Sequence, residues 1–220
     1  MNSKLRCYSL STLATLLLIS CIAFSSGCIN LAANMIHAIQ GNMVPAEFDG
    51  LSGKRVAIVC RTDEGLKSSA TNTILHNNLQ AALAMHLEDV KLVRRSQLEK
   101  WYAQNPEDRY DYYKVGEGVD ADLVVAVEVS NLKLKNGQTL YRGVSDISVK
   151  VLDMKREVLL FHKQMPEISF PNSTGKPITD TSENKFRQFY LAYVTRKIGA
   201  LFYPVDAHAD YAIDATMSSF

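Results

Sequence analysis

Residues 122–152 read DLVVAVEVSNLKLKNGQTLYRGVSDISVKVL, and this stretch decides the fold. From Asp122 to Leu134, Leu123, Val125, Val127 and Val129 fall on one side, and Val124, Ala126, Glu128 and Ser130 on the other. Strand side chains alternate between faces, so the first set marks a core face. Asn136-Gly137 is a hairpin signal, since both residues tolerate the positive φ of a tight turn. Tyr141 to Leu152 alternates again, with Ile147, Val149 and Val151 towards the core and Asp146, Ser148 and Lys150 towards water. Asp153-Met154-Lys155-Arg156 then turns the chain into a third strand, Val158 to Gln164. Three strands joined by short turns predict an antiparallel meander.

Upstream, the periodicity is different. Arg55 to Cys60 is a short continuous apolar run, as expected of a strand covered on both faces. Thr62 to Ser69 is a polar loop. Thr71 or Asn72 starts a helix whose Leu75, Leu79, Ala82, Leu83 and Leu87 recur at helical spacing. Val90 to Val93 predicts a second strand, and Ser96-Gln97-Leu98-Glu99 has the capping-box pattern of a helix start. That helix runs through Trp101 and Tyr102 and stops at Asn105-Pro106. The charged, tyrosine-rich stretch from Pro106 to Gly118 predicts a helix or lid over the sheet edge. Downstream, Pro171 to Asp180 is a loop. Thr181 or Ser182 caps a last helix through Phe202, with Phe186, Phe189, Tyr193 and Leu201 covering the sheet.

Helices early and a meander late predict one α/β (α+β) two-layer sandwich, a mixed sheet with a C-terminal antiparallel meander and helices packed on it. The organisation expected is a signal peptide over 1–27, a tethered helix and linker over 28–53, the α/β domain over 54–204 and a tail over 205–220.

The signal is legible at the amino end. Lys4 and Arg6 precede an apolar run from Leu10 to Phe24, which ends in Ser25-Ser26-Gly27-Cys28. A cysteine directly after small residues resembles the lipobox of bacterial lipoproteins, whose acylated cysteine becomes the new amino terminus. Cys28 is the expected lipid carrier. Leu18-Ile19-Ser20-Cys21 fits the same pattern, which leaves Cys21 as the alternative. The apolar run is also short against the roughly 20 residues that cross a bilayer. The resemblance implies membrane attachment through a lipid and a place in the bacterial envelope. Ile29 after Cys28 makes the outer membrane, facing the periplasm, the default. Asn30 to Gln40 reads as a short helix after the lipid, uncharged on its polar side.

From Cys28 onward 193 of the 220 residues remain, enough for one domain with a proper core. Without Lys4 and Arg6, the 24 basic residues become 22 against 23 acidic ones. No Lys/Arg block stands out, so nucleic-acid binding has no electrostatic footprint. Of the four cysteines, only Cys60 is left to the mature domain once Cys7, Cys21 and Cys28 are accounted for, so no internal disulfide is expected. Cys60 closes an apolar strand and reads as a small buried hydrophobe.

The order of motifs then suggests a family. Val56-Ala57-Ile58-Val59 follows a Gly-Lys-Arg start and leads to the helix Ile74 to Leu87. Val90-Lys91-Leu92-Val93 leads to Arg94-Arg95-Ser96-Gln97-Leu98, Ala121-Asp122-Leu123-Val124-Val125 opens the long strand, and Val151-Leu152-Asp153 closes the second. Over Lys54 to Phe202 this resembles the α/β domain of envelope lipoproteins related to the curli-secretion lipoprotein, the penicillin-binding-protein activator and the TolB amino-terminal domain. The resemblance implies a non-enzymatic protein that binds partners or assembles in the envelope. Pore formation does not carry over, because no spare pair of long alternating segments exists to make membrane hairpins.

Motifs for chemistry fare poorly. Gly116-Glu117-Gly118-Val119-Asp120-Ala121 has dinucleotide-binding spacing, but a strand follows it where the mechanism needs a helix, and it reads as a loop. Gly50-Leu51-Ser52-Gly53-Lys54 reads as a turn. His76 and His86 lie on different levels of one helix and read as solvated or capping residues. His162, His37 and His208 have no visible partner, so no metal or cofactor is expected. Ser68-Ser69 precedes a helix, and no Gly-x-Ser-x-Gly elbow exists. Glu128 is expected to face water.

The aromatics between 101 and 113 are the candidate site. Trp101, Tyr102, Tyr110, Tyr112 and Tyr113 gather there, and such rings are favoured at interfaces because they bury large area and keep a polar tip. The expected function is docking of an envelope protein partner by a lipid-anchored, non-enzymatic domain. The alternative is a periplasmic module that binds a small molecule or cell-wall fragment beneath residues 106–118.

Overall fold

The computed structural model describes residues 43–63, 70–172 and 175–206. The chain divides into two units, 1–43 and 44–220, and the fold below belongs to the second. Cys21, Cys28, the apolar run, the helix expected over 30–40, His37, His208 and the Ser68-Ser69 pair lie outside the described residues.

The mixed sheet is built from β1 (Arg55–Thr62), β2 (Lys91–Leu92), β3 (Leu123–Asn136), β4 (Leu140–Asp153) and β5 (Val158–Phe170), in the order β2-β1-β3-β4-β5. A two-residue strand, β6 (Lys176–Pro177), also pairs with β4. β1 runs parallel to both β2 and β3, whereas β3, β4 and β5 form the antiparallel meander. The helices are α1 (Ala70–His86), α2 (Arg95–Gln104), α3 (Tyr112–Gly118) and α4 (Glu183–Gly199). A 3-10 turn, Asp108–Tyr110, stands between α2 and α3. The architecture is the α/β two-layer sandwich that the alternation predicts.

Alternation sets the two faces. Val56, Ile58 and Cys60 of β1 line up with Leu123, Val125 and Val127 of β3, and this face packs against Leu75, Leu79 and Leu83 of α1 and Phe186, Tyr190 and Val194 of α4. The long helices α1 and α4 therefore form the main helical layer. Each fully buried aliphatic or aromatic side chain there contributes roughly 1.5–3 kcal/mol relative to exposure. On the reverse face Ala57, Val59, Val124, Ala126 and Leu152 are covered by Leu98 of α2 and Val115 of α3, a smaller cluster that leaves the middle of the meander open.

Several local expectations are corrected. Helix α2 starts at Arg95, not at Ser96: Val93 N–H still bonds Val56 C=O, Arg94 is the extended cap, and Gln97 Oε1 accepts from the Arg94 N–H at 3.3 Å. Glu99 pairs with Arg95 at 2.7 Å instead of capping. Gly116 and Gly118 belong to the end of α3, not to a loop. Packing also begins before Lys54, since Leu51 is fully buried and Phe48 sits 5.5 Å from Phe161, with its N–H bonded to Leu201 C=O at 2.8 Å. At the other end, Ser182 caps α4 as expected, its hydroxyl accepting from Lys185 N–H.

The histidines differ most from expectation. His76 is buried, with Nδ1 bonded to the Ile58 carbonyl at 3.0 Å and Nε2 near the Gln80 amide at 3.2 Å. Burial pushes its pKa below the usual imidazole value. The ring is held because β2 ends before Ile58, so on that side of β1 the Ile58 carbonyl has no strand partner and needs a donor. His86 stacks on Tyr203, ring centres 4.0 Å apart.

Candidate functional site

The aromatic segment is organised by one cap and one glycine. Asp111 accepts from Tyr113 N–H at 2.9 Å and Lys114 N–H at 3.3 Å, which starts α3 and fixes Tyr112 and Tyr113 in its first turn. At Gly118 any side chain would overlap the Trp101 indole, so the glycine seats Trp101 against the end of α3. Trp101 and Tyr102 meet edge to face at 5.7 Å. Trp101, Tyr102, Tyr112 and Tyr113 all pack, half-buried, against the reverse-face cluster. Tyr110 does not. Its side chain is 61% exposed.

Arg61 of β1 joins these pieces. Its guanidinium lies 4.0 Å from the Tyr112 ring centre and 5.3 Å from that of Tyr110. One terminal nitrogen donates to Tyr110 C=O at 2.9 Å and the other to Arg109 C=O. The cation thus sits between two rings and ties down the carbonyls of the 3-10 turn. Tyr110 is held by its backbone while its ring faces solvent.

Next to it runs a polar row across the open sheet face. The Tyr112 hydroxyl donates to Glu128 Oε1 at 2.7 Å, and Lys150 Nζ donates to Oε2 at 2.9 Å. Partial burial pushes the Glu128 carboxyl up, but the Lys150 and Tyr112 hydrogen bonds and the nearby Lys150 and Arg61 charges outweigh it and leave the pKa below normal. Glu128 is therefore a paired anchor rather than a group in free water. Burial and the bond to Glu128 push the Tyr112 phenol well up, and burial pushes Tyr102 to about 12. Both phenols stay protonated at neutral pH, and Tyr112 donates to Glu128.

The remaining groups offer little to a reaction. The Cys60 thiol is buried and pushed up to about 12 by desolvation, against a smaller lowering by Arg95. A thiol so protonated is a poor nucleophile. Ser148 Oγ meets His162 Nε2 at 3.2 Å on the exposed face, with no described carboxylate orienting the ring. Among the described residues no three His, Cys, Asp or Glu side chains converge as metal ligands. No described helix is long and apolar enough to cross a membrane.

The structure packs Trp101, Tyr102, Tyr112 and Tyr113 against the reverse-face cluster and leaves Tyr110 exposed beside Arg61. Sequence reading missed Arg61, Glu128 and Lys150 as their partners. Lys150 was within reach, since it and Glu128 share the outward face of adjacent strands. Arg61 carried no such signal.

No protein-family model matches the chain, and no curated protein matches it. Among solved structures the chain is similar in fold to several bacterial proteins, lipoproteins among them. One is the LpoB C-terminal domain from Salmonella enterica, at 17% identity over 53% of this chain and 84% of that one, with a TM-score of 0.36. Another is lipoprotein GNA1162 from Neisseria meningitidis, at 11% identity over 66% and 96%, with a TM-score of 0.43. A third is the PelC dodecamer from Paraburkholderia phytofirmans, at 15% identity over 72% and 94%, with a TM-score of 0.36.

Proposed function

We propose that the chain is a non-enzymatic, lipid-anchored envelope protein whose α/β domain docks a protein partner through the Tyr110 side of the sheet. The observation that carries this reading is the pairing of an exposed ring with a fixed backbone. Tyr110 is 61% exposed while Arg61 holds the turn beneath it through two carbonyls. A preorganised aromatic loses little freedom on binding, so more of its buried area appears as affinity. Tyr112 shares the Arg61 cation with it, and the half-buried Trp101, Tyr102 and Tyr113 pack on the same reverse-face cluster as Tyr112. Cys28, or Cys21 in its place, would carry the lipid, and the domain would face the periplasm from the outer membrane.

The test is co-purification from intact cells expressing the tagged full chain, beside Tyr110→Ala and Cys28→Ser. The reading expects one envelope protein enriched with the parent chain, reduced by Tyr110→Ala in a domain that still melts cooperatively. Loss of enrichment in Cys28→Ser would support the anchor. Unchanged enrichment in Tyr110→Ala removes the docking face.

A further inference from the structure

Strands β1 and β2 are parallel, yet the helices after them leave to opposite faces, α1 into the main cluster and α2 into the reverse one. A crevice opens at the carboxyl ends of neighbouring parallel strands where their connections diverge in this way. Here β2 stops at Leu92, so beyond Val56 the edge of β1 has no strand beside it. A cavity of about 250 Å³ occupies the gap, lined by Ile58, Cys60, Asn72, His76, Arg95 and Tyr102 among others.

The edge faces this cavity through its backbone. Lys54 and Val56 carbonyls accept from Lys91 and Val93 on the β2 side, each at 2.9 Å, while the Arg55 carbonyl accepts from Asp122 on the β3 side. In a parallel ladder the N–H and C=O of one residue point the same way, so Ile58 and Cys60 turn theirs towards the crevice. His76 takes the Ile58 carbonyl at 3.0 Å. β2 does not reach Cys60, so no strand pairs with its N–H and C=O on that side. Across from them Arg95 spends Nε on Glu99 at 2.7 Å and one terminal nitrogen on Thr73 Oγ1 at 2.6 Å. Its other terminal nitrogen and Asn72 Oδ1 are left without partners. A free strand edge matches an amide group, and a free guanidinium nitrogen matches a carboxylate oxygen.

We propose that this crevice binds the carboxy-terminal end of a short peptide, with the terminal carboxylate on Arg95 and the last amide on the Cys60 edge of β1. The site shares Tyr102 with the proposed docking face but does not involve Tyr110 and does not rest on the docking reading. Glu99 already neutralises part of the Arg95 charge, so selectivity for the carboxylate comes from the unspent nitrogen rather than from net charge.

The experiment is an NMR titration of the isotope-labelled full chain in detergent micelles with N-acetyl-alanyl-alanine, and with its carboxy-terminal amide as the uncharged control. The Cys60 N–H resonance is expected to shift saturably with the acid, and the amide to bind about tenfold more weakly. Arg95→Gln is expected to bring the acid down to the affinity of the amide. Absence of a saturable shift at Cys60, or equal affinity for acid and amide in the parent chain, overturns the proposal. The acid–amide comparison decides the matter even where Arg95→Gln fails to fold.

Discussion

The Tyr112 hydroxyl donates to Glu128 Oε1 at 2.7 Å, and this bond fastens helix α3 to the open face of the sheet. Lys150 holds the other oxygen of the same carboxylate, so α3, β3 and β4 meet at one anion. The aromatic segment is thus fixed to the meander by a polar joint as well as by the apolar cluster beneath it.

Tyr112→Phe removes the donor and keeps the ring. Because the carboxylate is partly exposed, the expected loss at pH 7 is only about 1 kcal/mol of unfolding free energy. Glu128 has a folded-state pKa below its ordinary 4.5, so its stabilisation is complete above that value and is lost as pH falls through the folded one. Urea denaturation of both proteins across this range is expected to show the deficit shrinking on acidification. A deficit that grows in acid contradicts the joint.

Inside the main cluster, Tyr190 donates to the Ile168 carbonyl at 2.8 Å and accepts from the Ser145 hydroxyl at 2.6 Å. Tyr190→Phe strands the buried Ser145 hydroxyl and the part-buried Ile168 carbonyl, at a cost of about 2 kcal/mol in denaturant unfolding. Gly143→Ala drives a methyl into the same ring and is expected to cost about 1–3 kcal/mol by overpacking.

Trp101 is the chain's one tryptophan, so its fluorescence reports the candidate site directly. Gly118→Ala collides with the indole and pushes it outward. The emission maximum of the variant is expected at longer wavelength than the parent's while the domain still melts cooperatively. An unshifted maximum would show that Trp101 does not rest on Gly118.

Cys60 is expected to resist alkylation. With its thiol raised to about 12 by burial, peptide mapping after iodoacetamide at about pH 8 should find Cys60 unmodified in the folded chain and modified in urea. Rapid labelling without denaturant contradicts the burial.

How far the sequence speaks depends on whether a signal is local. The alternation of Leu123 to Val129, the turn after Asn136 and the Ser182 cap are set by neighbours in the chain, and the strands and helices formed where those signals lay. His76 has no partner legible in the sequence, because the Ile58 carbonyl is left open only by a β2 that is two residues long. Glu128 reads as water-facing from strand alternation alone, because Tyr112 comes from a separate helix. Tyr190 lies four residues after Phe186, at the helical spacing that puts both on the core-facing side of α4. Phe48 and Leu51 sit in a stretch too short to show any period, so their packing against the core was invisible. Arg61 illustrates the limit for the candidate site: its role depends on carbonyls of Arg109 and Tyr110, nearly fifty residues away.

The central claim is that the Tyr110 face docks a protein partner, and a photo-crosslinker placed at position 110 of the full chain in intact cells tests it most directly. The account predicts one discrete crosslinked envelope protein, absent when the probe is moved to Met85, an 81% exposed site on α1. Crosslinking that is equal at both positions, or none at position 110, contradicts it.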